Sequence, residues 1–143
     1  MRWRHPVLAG LISGLIALAS AAEEAGISVR DAWVREMPPG ISMTAGYMVL
    51  QNKTSRSHVL VAASSSAFEA VMIHRTVARQ GMTGMEHSPQ VELSPNTSLP
   101  FAPGGYHLML LNPKRPLHAG DRVEIILEFR GGIVLPVAYE VRK

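Results

Sequence analysis

The pattern that most constrains this chain is the alternation of apolar and polar residues in short runs closed by Pro, Gly, Asn and Ser. In Arg122–Phe129, Val123, Ile125, Leu127 and Phe129 point to one side, while Arg122, Glu124 and Glu128 point to the other. That is the period of a half-buried strand. The same reading predicts strands at Ile27–Arg35, Thr44–Gln51, His58–Ala63, Ala67–Val77, Val91–Leu93, Tyr106–Leu111 and Ile133–Arg142. Pro38-Pro39-Gly40, Asn52–Ser57, Pro103-Gly104-Gly105 and Gly131-Gly132 are read as turns. No segment beyond the first two dozen residues sustains a 3.6-residue period. The expected fold is all-β, an antiparallel sandwich or Greek-key barrel. With 47% apolar and 17% charged residues in 143, such a chain can bury a core of its own.

The opening residues, MRWRHPVLAGLISGLIALASAA, follow another logic. Arg2 and Arg4 precede an apolar run from Val7 to Leu18, and small residues stand at Ala17, Ala19 and Ala21. This is the order of a secretory signal peptide, with cleavage placed after Ala21, so residues 1–21 are the leader and 22–143 a single domain. A retained anchor is the alternative, but the apolar run is short for a span of about 20 residues. Removing the leader takes two arginines and no acid from a formal charge of +3. No basic patch interleaved with aromatics remains, so nucleic acid is not an expected partner. Nor is a membrane, once the leader is gone. Cysteine is absent, which excludes a disulfide framework, a thiolate metal site and a cysteine nucleophile.

Alternation also locates the chemistry. In Tyr106-His107-Leu108-Met109-Leu110 the core face is Tyr106, Leu108 and Leu110, so His107 and Met109 project together from the other side. Val71-Met72-Ile73-His74 repeats the arrangement, with Met72 and His74 facing outward. Between these strands Gly81-Met82-Thr83-Gly84-Met85-Glu86-His87 reads as a Gly-flanked loop or hairpin tip able to bring a Met back to them. His74, Met85, His107 and Met109 form a soft, uncharged donor set. Thioether suits Cu(I) and imidazole suits copper generally, whereas Ca and Mg want oxygen. Zinc competes for imidazole but does not ordinarily take Met.

The spacing from His74 through Met85 to His107 and Met109 resembles the H-x10-M-x21-H-x-M signature of the PCuAC family of periplasmic copper chaperones. Asp31-Ala32-Trp33-Val34-Arg35, Ala45–Asn52 and Pro103–Leu110 are similar to further blocks of that family, and the resemblance covers about Ile27 to Val141. Arg75 and Thr83 stand where members often carry other residues, an acid or Met after the first His and a Met before the second ligand. The resemblance implies a cupredoxin-like fold and one Cu(I) per monomer, held by His74, Met85, His107 and Met109. It also implies a periplasmic location and delivery to the CuA centre of cytochrome c oxidase subunit II beside a Sco-type thiol chaperone. Met72, Met82 and His87 are nearby candidates for supporting or relay roles.

Such a carrier needs no nucleophile or acid–base pair, so the chain is not expected to be an enzyme. Copper storage or resistance would use the same site, and a metal-free exported interaction module would use none of it. A copper oxidase would need a centre cycling with O2, and Ala22-Glu23 offers no His for an N-terminal brace. Trp33 is expected in the core, and Asn52-Lys53-Thr54 and Asn96-Thr97-Ser98 are read as chance glycosylation matches.

Overall fold

A computed structural model describes residues 26–143; the assigned leader and its cleavage site lie outside the described residues. Ten strands follow in chain order: β1 (Ile27–Arg35), β2 (Met43–Asn52), β3 (His58–Ser64), β4 (Phe68–Arg79), β5 (Met82–His87), β6 (Val91–Leu93), β7 (Thr97–Phe101), β8 (Tyr106–Pro113), β9 (Arg122–Phe129) and β10 (Ile133–Arg142). There is no helix among the described residues. All eight strands expected from alternation are present, their ends within two residues of the expected ones.

The strands form one sheet in the order β5-β4-β8-β7-β2-β1-β10-β9-β3-β6, with β8 also bonded directly to β2. Strands from both halves of that order contribute to one apolar core: Phe68 and Ile73 of β4, Leu108 and Leu110 of β8, Val123, Ile125, Leu127 and Phe129 of β9, and Tyr139 of β10. The sheet is therefore wrapped upon itself, as a one-faced sheet must be to hide that face. Each large apolar side chain so buried contributes about 1.5–3 kcal/mol. Two pairings depart from the antiparallel expectation: β1 lies parallel to β10, and β7 meets β8 in parallel at Phe101 and Tyr106.

Two strands are not foreshadowed by alternation. β7 contains Pro100, which ordinarily argues against a strand; its ladder runs mainly along β2, from Asn52↔Thr97 to Met48↔Phe101. β5 lies where a loop or hairpin tip was expected, and the hairpin is the form it takes. It pairs with β4 from His74↔His87 to Arg79↔Met82, and every one of its residues is exposed, so no buried face marks it. Its signal is the two-residue turn, where Gln80 and Gly81 both have positive φ, 52° and 74°, as a primed hairpin requires. An added Cβ at Gly81 meets nothing within 4 Å. Gly81→Ala is therefore expected to cost about 1–2 kcal/mol from backbone strain alone, measured by urea unfolding.

Trp33 is not in the core. Pairing of β1 with β2 shifts between Arg30 and Trp33, and Asp31 has φ 55°. Beyond this bulge Trp33 lies half-buried beside Tyr47, ring centroids 4.7 Å apart, with the Arg142 guanidinium 5.9 Å from its centroid. Val34 takes the buried position instead.

Candidate metal centre

In an antiparallel ladder directly opposed residues share a face, and this property assembles the site. Opposed pairs on β4 and β8 include Met72↔Met109 and His74↔His107, and His74 is also opposite His87 of β5. Met85 lies opposite Thr76, one step along the same face. On β2, Ala45 is opposite Met109. The four expected residues His74, Met85, His107 and Met109 thus stand on one face of three neighbouring strands. Core residues Val71↔Leu110 and Ile73↔Leu108 occupy the opposite face, as alternation required. Met85 arrives by strand register rather than by a swinging loop.

The imidazole centroids of His74 and His107 are 5.9 Å apart, and those of His74 and His87 5.5 Å. These three rings stand in a line across the strands. Among the described residues no group of three or more His, Cys, Asp or Glu is placed to hold one ion. The soft donors beside these imidazoles on the same face are the thioethers of Met72, Met85 and Met109.

His107 is only 4% exposed. Its Nδ1 lies 3.2 Å from the Gly105 carbonyl oxygen, which also accepts from the Thr76 N–H. A carbonyl only accepts, so the ring proton is on Nδ1 and Nε2 carries a free lone pair. That Nε2 is buried without a hydrogen-bond partner, and so is Nδ1 of His74. Two orphaned ring nitrogens on adjacent strands are expensive, about 1–3 kcal/mol each, unless something binds them. Burial, then the neighbouring His107 and His87, hold the His74 pKa below the usual imidazole value. His74 is thus kept neutral, the form a metal needs.

A cleft of about 400 Å³ opens beside these strands, lined by Met43, Met85, His107 and Met109 together with Tyr47, Pro103 and Gly104. Met85 is 64% exposed. Met82, beside the hairpin turn and opposite Arg79, is exposed too and outside the cleft. Arg75 does not face the site. It is opposite Glu86 and Tyr106, and its guanidinium rests 5.7 Å from the Tyr106 ring centroid. Alternation alone carries this cation to the other side of the sheet. Thr83 is opposite Ala78, two residues before Met85 on the same face and one step nearer the hairpin turn. Met43 was not singled out in the sequence; its mark is its place two residues before Ala45 and four before Tyr47 on the non-core face.

Known proteins resemble this chain along most of its length. "Putative lipoprotein Lxx21020" of Leifsonia xyli subsp. xyli is 32% identical over 142 residues, covering 95% of this chain and 84% of the relative. The solution structure of CuI-DR1885 from Deinococcus radiodurans is 35% identical, with a TM-score of 0.67 over 87% of this chain and 85% of that one. The copper-bound PCuAC domain from PmoF2 shares the fold at 22% identity, with a TM-score of 0.69 over 82% of this chain and 92% of the domain. The family described as "Putative lipoprotein LpqE-like" matches residues 27–141. With its all-β cupredoxin-like fold, the chain belongs to this LpqE-like, PCuAC-type family.

Proposed function

We propose that this chain is an exported, non-enzymatic Cu(I) carrier that binds one ion through His74, His107, Met85 and Met109. In this reading it works in the periplasm as a monomer and passes copper by ligand exchange to the CuA centre of cytochrome c oxidase subunit II, beside a Sco-type thiol chaperone. The observation that carries the proposal is the pair of buried, unpartnered ring nitrogens on His74 and His107, flanked on the same face by thioethers. Copper-bound members of the fold, CuI-DR1885 and the PmoF2 domain, support it. Neutral imidazole and thioether leave the ion's single charge uncompensated by thiolate, which favours Cu(I) and keeps each bond exchangeable. Thiolates of an acceptor then draw the ion away, and the exposed edge strand β5 lets them approach before the old ligands leave.

The test is anaerobic Cu(I) titration of the mature protein against a chromogenic chelator, followed by mixing the loaded protein with a CuA-site acceptor. One equivalent bound and then lost to the acceptor is the expected result. Binding without transfer would remove the delivery step, and no binding would remove the carrier.

Acid provides a second check. Imidazole must be neutral to bind, while thioether does not titrate. Affinity is expected to hold from pH 8 to about 6.5 and then fall, by up to about tenfold per pH unit for each imidazole protonated. The apo protein should follow the same sign. A histidine whose native pKa lies below its unfolded value of 6.5 stabilises the fold fully above that value, and the contribution is lost as pH falls toward the native pKa. Apo Tm therefore declines with acid below about 6.5, and His74→Gln flattens the decline. A Cu(I) affinity unchanged from pH 8 to 5 would sink imidazole ligation.

A further inference from the structure

The cleft beside the site is lined by three thioethers, those of Met43, Met85 and Met109, and by His107, but His74 is not among its walls. Met43 opens β2 and is opposite Leu111 of β8; Ala45, two residues on, is opposite Met109. Met43 and Met109 are thus diagonal neighbours on one face. Met85 reaches the cleft from β5, on the far side of the β4–β8 pair, so Met43 and Met85 flank it from opposite directions. The backbone around Met43 is anchored. The Ser42 carbonyl accepts from the Asn112 N–H at 2.7 Å, and Thr44 Oγ1 donates to the Arg35 carbonyl at 2.7 Å. The residue is 46% exposed, so its thioether is open to an incoming ion.

We propose that Met43 is a further copper ligand, which with Met85, Met109 and His107 Nε2 forms an outer, cleft-side binding set. The inference rests on the Cu(I) reading above. Cu(I) held by the inner set gives up its bond to the His74 nitrogen and gains one to the Met43 sulfur. No electron moves and the ion stays monovalent. His107, Met85 and Met109 serve both sets, so the ion shifts toward solvent without ever being released. The outer position is the one an acceptor meets.

The experiment compares Cu(I) affinity, by anaerobic competition with bicinchoninate, in wild type, His74→Ala, Met43→Leu and the double variant. Leu keeps the volume of Met at an exposed site, so the fold is preserved, and circular dichroism confirms it. His74→Ala is expected to retain one weakened equivalent on the outer set. Met43→Leu should cost about threefold alone but at least about tenfold in the His74→Ala background, the non-additivity of groups sharing one ion. Stopped-flow transfer to the chelator should also slow in Met43→Leu. Equal, small effects of Met43→Leu in both backgrounds would overturn the outer set while leaving the carrier reading intact. Complete loss of binding in His74→Ala would do the same. Wild type that binds no Cu(I) would end both.

Discussion

His107→Leu is expected to weaken Cu(I) binding at least about a hundredfold, more than the 10- to 100-fold typical of losing a mere supporting group. The apo domain, in contrast, should be as stable as wild type or more so. In the native protein the ring makes one ordinary hydrogen bond, from Nδ1 to the Gly105 carbonyl, and leaves Nε2 buried with none. Replacing such a group with an apolar side chain of similar bulk removes a desolvation cost along with a modest bond. The freed carbonyl still accepts from the Thr76 N–H. A binding residue that burdens the empty fold is the usual sign of stability surrendered for function. Urea unfolding with and without copper reads both quantities. At free Cu(I) about 100 times Kd, wild type should gain about 2.7 kcal/mol, and the variant almost none at the same concentration. An apo protein destabilised by more than about 2 kcal/mol would instead make His107 a structural hydrogen-bonding centre.

Asn52→Ala should be among the most damaging single changes away from the site, costing about 3 kcal/mol. Asn52 is 2% exposed. Its Nδ2 donates to the carbonyls of Arg56, Leu93 and Ser94, at 2.7, 3.1 and 3.1 Å. Its Oδ1 accepts from the N–H and hydroxyl of Thr54. One amide thus ties the end of β2, the loop into β3 and the end of β6. Truncation strands several of these groups away from water, and the whole cost of their desolvation remains. Asn52→Asp should be at least as harmful, because a carboxylate turned toward three carbonyl oxygens has nothing to donate. A loss below about 1 kcal/mol in Asn52→Ala would mean that water takes over these bonds. The same burial explains why Asn52-Lys53-Thr54, a sequon by composition, is a structural clasp: the folded chain offers no free side-chain nitrogen there.

What could be read in the linear chain was local. Alternation in Arg122–Phe129 and Tyr106–Leu110 names strands and their buried faces, because successive Cβ atoms must point to opposite sides. That geometry alone put His107 with Met109, and Met72 with His74, on the non-core face. It also turned Arg75 away from them. The resemblance then joined these pairs to Met85. The segment carrying Met85 was legible only as a loop or hairpin tip, because an edge strand with both faces exposed has no alternation to show. Trp33 misled for a related reason: a bulge adds a residue and exchanges the two faces locally.

Other features belonged to tertiary structure alone. No spacing announces that β8 lies beside both β4 and β2, and that adjacency admits Met43 to the cleft. Nor does any spacing reveal that Nε2 of His107 is buried without a protein partner, since this depends on the Gly105 carbonyl and on the neighbours packed around the ring. Strand identity is written into each short segment by its own stereochemistry. Strand neighbourhood is settled by which apolar faces close over one another, and that choice involves the whole chain at once.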